Sequence, residues 1–264
     1  MKKVMAMLLC SAMVFSFCSC GNKQDAKLLG KASSETSGMG LYYFDGEKTT
    51  VKWIFDETED KIISDINNLN TKSVDSSRIS DMTFPCYGLQ IGDTTGTEIW
   101  LTYSNGLWLT KDGSLYEAKF DFATAYNNAV DEDSSSFPGG RILPNSALLG
   151  KQDPRFYEKA GAMSSEKDGI SMSFVSRKDK IVTVKLKNSS NDTFMYGMAY
   201  TLQKEINGEW YTLPTYYSWA FNDLAYYLPA GEENEEECNL TPYGELEKGH
   251  HRIEKEGIVA EFEI

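Results

Sequence analysis

The sequence predicts an α+β N-terminal unit followed by an all-β C-terminal unit, a β-sandwich of about seven strands. Three observations predict it. The 264-residue composition is globular, with 41% hydrophobic and 12% aromatic residues. Helical spacing of apolar residues is confined to the first half. From residue 169 onward, short alternating runs separated by turn residues recur over roughly 96 positions, the arithmetic of a sandwich. The net charge of −13 argues against nucleic acid as a partner, because phosphate recognition needs a basic face.

The chain opens MKKVMAMLLCSAMVFSFCSC. Lys2 and Lys3 precede a 14-residue uncharged run, Val4 to Phe17, which is too short for an ordinary membrane span and has the order of an export signal. Phe17-Cys18-Ser19-Cys20-Gly21-Asn22 resembles the lipobox of bacterial lipoproteins, although Phe17 stands where Leu is usual and Cys18 where Ala, Ser or Thr is usual. The resemblance implies that residues 1–19 are a signal peptide and that Cys20 carries a diacylglyceryl thioether. The protein would then sit on the extracytoplasmic face of the cell membrane, its lipid-anchored partner. Two acyl chains give a durable hold where one does not. Losing two lysines with the signal leaves a more acidic body, so the lipid must supply the attachment.

Residues 20–40 read as a lipidated flexible tether rich in Gly, Ser, Lys and Thr, spanning roughly 25 Å if fully flexible. Residues 41–128 form the small α+β unit. Leu41–Phe44 and Val51–Phe55 are aromatic and β-branched, with Asp45-Gly46 as the turn between them. Asp56 followed by Glu59 is a helix-start signature, and Ile62, Ile63, Ile66 and Leu69 give that helix one apolar face. Strands return at Tyr87–Ile91, Glu98–Tyr103, Leu107–Thr110 and Ser114–Phe120. Asn105-Gly106 and Asp112-Gly113 read as tight hairpin turns, and Phe122–Val130 as a second helix. Residues 129–168 are a connector with three of the seven prolines, too long to be featureless, in which Arg155-Phe156-Tyr157 is suited to packing on a neighbouring unit.

In the C-terminal unit, 169–264, strands are expected at Ile170–Val175, Lys180–Lys187, Tyr200–Ile206, Glu209–Leu213, Glu233–Asn239, His250–Glu256 and Gly257–Ile264. Asn207-Gly208 is a further hairpin turn. Lys187-Asn188-Ser189, Tyr196-Gly197, Asn207-Gly208-Glu209-Trp210-Tyr211, Trp219-Ala220-Phe221, Leu228-Pro229-Ala230-Gly231 and Gly249-His250-His251-Arg252-Ile253 follow one another in order. Together they resemble the bacterial immunoglobulin-like domain of many Gram-positive lipoproteins. The resemblance implies an immunoglobulin-like sandwich and brings no catalytic residues. His251 stands where such corners use a Tyr whose hydroxyl bonds back to backbone, so the corner is expected to be differently tied.

No catalytic residue, metal site or cofactor is assigned. The only histidines, His250 and His251, are adjacent on a strand and point to opposite faces, which suits structure better than metal. Asp131-Glu132-Asp133 and Glu232 to Glu237 lack the Asp-x-Asp-x-Asp-Gly calcium pattern. The sequence has no Gly-x-Ser-x-Gly, no phosphate-binding Gly-Lys-Ser/Thr and no His-Glu-x-x-His. Cys86 and Cys238 read as buried free thiols. Trp210 and Trp219 are expected to fill the sandwich core. Tyr216, Tyr217, Tyr226 and Tyr227 are the candidate partner surface, for an envelope protein or a glycan. The expected function is a non-enzymatic binding or structural module of the cell envelope. The alternative is a sensory or regulatory accessory whose N-terminal unit binds a small ligand.

Overall fold

The computed structural model describes residues 28–29, 36–54, 57–93, 98–129, 134–216 and 221–264. The export signal, Cys20, the helix cap at Asp56, the acidic run at 131–133, Tyr217 and Trp219 lie outside the described residues. The expected fold class is the one found: an α+β unit, then an all-β unit.

The first unit is built on an eight-stranded antiparallel sheet. Its strands are β1 (Thr36–Phe44), β2 (Lys48–Ile54), β3 (Lys72–Val74), β4 (Cys86–Asp93), β5 (Glu98–Ser104), β6 (Leu107–Thr110), β7 (Leu115–Glu117) and β8 (Ser135–Pro138). Their spatial order is 3-7-6-5-4-1-2-8. Alternation along β1 sends Met39 and Leu41 to one face and Tyr42 and Phe44 to the other, and both faces are buried. Over the first face lie α1 (Glu57–Asn67), which contributes Ile62, Ile63 and Ile66, and α2 (Phe122–Asn128), which contributes Phe122 and Tyr126. Trp108, fully buried at the centre, packs at tilted angles against Tyr103, Phe120 and Phe122 while its indole N–H donates to Ala118 O at 3.1 Å.

The second face is covered by the segment read from sequence as a connector. Leu143, Leu149 of α3 (Ser146–Leu149) and Phe156 pack against Tyr42, Phe44, Leu107 and Leu109. Asn145 adopts the left-handed conformation at φ 61° and is pinned there. Its amide donates to Leu109 O at 2.9 Å and to Trp100 O and Thr102 Oγ1 at 3.3 Å. The same segment then leaves for the other unit. β9 (Glu158–Lys159) and β10 (Glu166–Lys167) pair with strands of the second unit, while β8 pairs with β2 of the first. Hydrogen bonds therefore run from one stretch of chain into both units.

The second unit is a sandwich. One sheet runs β10, β11 (Ile170–Lys178), β12 (Ile181–Asn188), β17 (Glu233–Asn239). The other runs β19 (Ile258–Glu263), β18 (His250–Lys255), β14 (Thr201–Ile206), β15 (Glu209–Thr212), β9. Between them Met172, Val182, Val184 and Leu186 meet Leu202, Ile253, Ala260 and Phe262. A separate pair, β13 (Phe194–Tyr196) with β16 (Tyr226–Leu228), adds to the seven expected strands. Three residues are too few to show alternation, so sequence periodicity could not reveal it. β17 is an edge strand, and its glutamates meet solvent, apart from the partly covered Glu236; charge there discourages pairing with another chain.

Two turns behave differently. Asn105 and Gly106 both take positive φ, 51° and 81°, as the two-residue hairpin requires. At Asp112-Gly113 only Gly113 does, at 85°. The Asp112 carboxylate instead accepts from Ser114 N at 3.2 Å and from the Thr110 hydroxyl, and Thr110 N bonds to Ser114 O at 3.0 Å. The side chain closes a longer loop in place of the backbone. At the corner, His251 itself bonds back to nearby backbone, Nδ1 lying 2.8 Å from Gly249 O, and tyrosines add ties elsewhere: Tyr200 Oη donates to Asn239 O at 2.8 Å, and Tyr243 Oη accepts from Leu202 N at 3.2 Å.

Trp210 corrects an expectation. It lies outside the sandwich core, on the outward face of its sheet, with its ring 4.1 Å from the Arg252 guanidinium and 5.0 Å from His250. Arg252 is the reason: 1% exposed, it donates to Gln203 Oε1 at 2.7 Å and Gly161 O at 2.8 Å, and the indole face shields the remaining charge. Cys86 and Cys238 are free and buried in separate cores, and burial pushes both thiols up to about 12. Among the described residues no helix is long and apolar enough to cross a membrane.

Candidate functional site

Where the two units meet, the surface is concave. A cleft of about 470 Å³ lies between α3 with the following turn, on one side, and β14, β18 and the 213–216 and 243–247 loops on the other. That volume is within the range of small-molecule sites. Two glycines make room for its aromatic walls. A Cβ on Gly150 would lie 1.8 Å from Tyr157 Cε1, so only a residue without a side chain lets that ring cross the end of α3. Gly244, at φ 71°, gives similar clearance to the ring of Tyr216, which a Cβ would meet at 2.8 Å. Tyr157 is buried, which raises its phenol, and Tyr216 and Glu247 add to the rise. Tyr216 is half-buried, and the Lys151 ammonium lies 5.8 Å from its ring centroid.

The floor is polar. Lys204 and His251 are opposite partners on β14 and β18, so their side chains share a face. Lys204 Nζ is paired with Glu247 Oε2 at 2.5 Å. His251 is fully buried, with Nδ1 2.8 Å from Gly249 O. A carbonyl only accepts, so the proton sits on Nδ1 and Nε2 is left as an acceptor; it has no hydrogen-bond partner. Burial is the main cause holding this imidazole below its ordinary value, and the positive charge of Lys204 acts in the same direction.

A second, wider cleft of about 670 Å³ joins Tyr42, Gln90 and Trp100 of the first unit to Tyr200, Thr201 and Glu254 of the second. Its polar groups are largely committed to each other. Tyr42 Oη donates to Gln90 Oε1 at 2.7 Å, and Thr201 Oγ1 donates to Glu254 Oε2 at 2.9 Å. Burial raises the Tyr42 phenol to about 12.

Of the tyrosines selected from sequence, Tyr216 lines the smaller cleft, while Tyr226 and Tyr227 lie on the β13–β16 pair. Tyr227 is 68% exposed and sits opposite Met195, which is 59% exposed. Tyr226 stacks on Tyr196 at 5.6 Å; the Tyr196 hydroxyl donates to Glu236 Oε1 at 2.9 Å. Beneath them Lys255, 2% exposed, is held by Gly197 O at 2.5 Å and Glu236 Oε2 at 3.5 Å. His250 is held between Glu205 at 2.8 Å and Glu261 at 3.2 Å. Among the described residues no group of three or more His, Cys, Asp or Glu is placed to hold a metal ion. Sequence reading did not mark Tyr157, Lys204 or Glu247 as site residues, because nothing local shows that positions so far apart in the chain line one cleft.

Residues 166–263 match the family model described as a bacterial Ig-like domain, which places the C-terminal sandwich among immunoglobulin-like folds. Domains of that kind are typically non-catalytic binding or structural modules. No curated protein and no solved structure matches the chain.

Proposed function

We propose that the chain is a lipid-anchored, extracytoplasmic binding module of the cell envelope, held to the membrane through Cys20 and presenting its two joined units to an envelope protein or glycan. The observation that carries this reading is the Ig-like C-terminal unit, fastened to the α+β unit by a segment that hydrogen-bonds into both sheets. Such a joint fixes recognition surfaces on a rigid scaffold, where ordering costs on binding are small. The lipobox resemblance at Phe17 to Asn22 supplies the address.

Metabolic labelling with a fatty-acid analogue tests the anchor: the chain takes up label, and Cys20→Ala abolishes both label and membrane retention. Unchanged retention of the unlabelled variant rejects the anchor. Probing envelope extracts with the full chain tests the binding role, and turnover of a substrate abolished by one substitution would overturn it. A sensory reading has one observation in its favour, the wider cleft with its first-unit wall of Tyr42, Gln90 and Trp100. A ligand that raises the melting temperature, and does so less in Gln90→Ala, supports it.

A further inference from the structure

Among the described residues the longest edge strand is β17, seven residues against two to six at the other sheet edges. The next longest, β19, is bridged near its start, where Val259 N donates to Ser164 O at 3.1 Å. β17 carries no proline and no bulge, and it pairs with β12 in unbroken register from Glu233 to Asn239. At the two ends of that ladder Asn188 N donates to Glu232 O at 2.9 Å and Leu240 N donates to Lys180 O at 2.7 Å. Bonded and unbonded residues alternate along an antiparallel pair. The even-numbered residues of β17 therefore turn their backbone groups toward β12, and Glu233, Glu235, Glu237 and Asn239 turn theirs outward. Asn239 O is taken by the Tyr200 hydroxyl at 2.8 Å. The outward N–H and C=O of the three glutamates are bonded to nothing among the described residues.

The side chains on this open stretch select what pairs with it. Glu233, Glu235 and Glu237 are exposed on one face of the sheet. β12 shows what suits them: Lys187 stands opposite Glu233 and Lys185 opposite Glu235, with Lys185 Nζ 3.4 Å from Glu233 and 3.8 Å from Glu235. Glu237 stands opposite Thr183, which carries no charge. A second copy of β17 would bring glutamate against glutamate, which is unfavourable directly across a ladder. A strand with basic residues at every second position would instead repeat on the outer side the pairing that β12 makes on the inner one. We infer that the outer edge of β17 is a docking edge for a basic, extended protein segment, which adds to the sheet as an antiparallel strand with Lys or Arg at three alternate positions facing Glu233, Glu235 and Glu237. The inference rests on the binding-module reading and gives it a kind of partner and a location.

Fluorescence anisotropy of the full chain in detergent micelles with a labelled peptide, Thr-Lys-Thr-Lys-Val-Lys-Thr, tests it. The peptide binds, and hydrogen exchange slows at the outward amides of Glu233, Glu235 and Glu237. The same peptide methylated on the backbone nitrogens that face β17 keeps its charge and binds roughly tenfold more weakly or worse, because it cannot complete the ladder. Glu233→Gln, Glu235→Gln and Glu237→Gln together weaken binding by roughly tenfold, as three exposed ion pairs should. No binding by the basic peptide, equal binding by its methylated form, or an affinity unaltered in the triple variant overturns the docking edge. If the triple variant captures an envelope protein as well as the original chain does, the module reading stands and this inference falls.

Discussion

The two units bury different kinds of atoms. The first covers both faces of one sheet with apolar and aromatic side chains, and its largest fully buried residue is Trp108. The second, beside an aliphatic core, buries three basic side chains, His251, Arg252 and Lys255, within five consecutive positions. The first is therefore vulnerable to cavities, and the second to loss of the partners that make buried charge tolerable. What the difference teaches is that one chain can use shape to specify one unit and hydrogen-bond partners to specify the other.

Four experiments break or sharpen the comparison. Trp108→Ala opens the densest aromatic cluster and orphans Ala118 O; it should cost about 3–5 kcal/mol in urea unfolding. Because the 134–168 segment hydrogen-bonds into both units, the transition should move as one, and a split curve in which only part of the protein loses stability would show the units to be independent. Arg252→Met keeps the bulk beneath Trp210 but leaves Gln203 Oε1 and Gly161 O without their donor, so a loss of about 1–3 kcal/mol is expected. A neutral or stabilising result would mean that partner loss is not what limits the second unit.

The third is pH. The fold holds His251 neutral to a lower pH than its ordinary 6.5, chiefly through burial. Between the folded value and 6.5 the unfolded chain takes up a proton that the folded chain refuses, so stability falls as pH drops through this window and levels off once the folded imidazole also protonates. His251→Phe should flatten the melting-temperature profile there; an identical slope in the variant would assign the dependence to other groups. Smallest is the exposed Lys61–Asp65 pair on α1, where Lys61→Ala should change stability by only about 0.3–0.5 kcal/mol.

Hairpins with Asn-Gly, the helix carrying Ile62, Ile63 and Ile66, and the seven longer sandwich strands were legible because each rests on local spacing or a positive-φ requirement. Trp210 was misread because aromatic size suggests a core, while its actual partner, Arg252, lies 42 residues further on. The short strands β8, β9 and β10 carry no periodic signal, and their place was decided by the sheet edges they found.

By itself the sequence determined the class of each unit, the Asn-Gly turns and the alternation that gives most long strands a buried side, since these depend on neighbours within a few residues. Only the tertiary structure decided that residues 134–168 wall the first sheet and edge the second, that Gly150 and Gly244 clear space for two tyrosines, and that His251 is buried against Phe262 with its Nε2 unanswered. Those outcomes depend on distances between atoms far apart in the chain, which no local pattern of residues encodes.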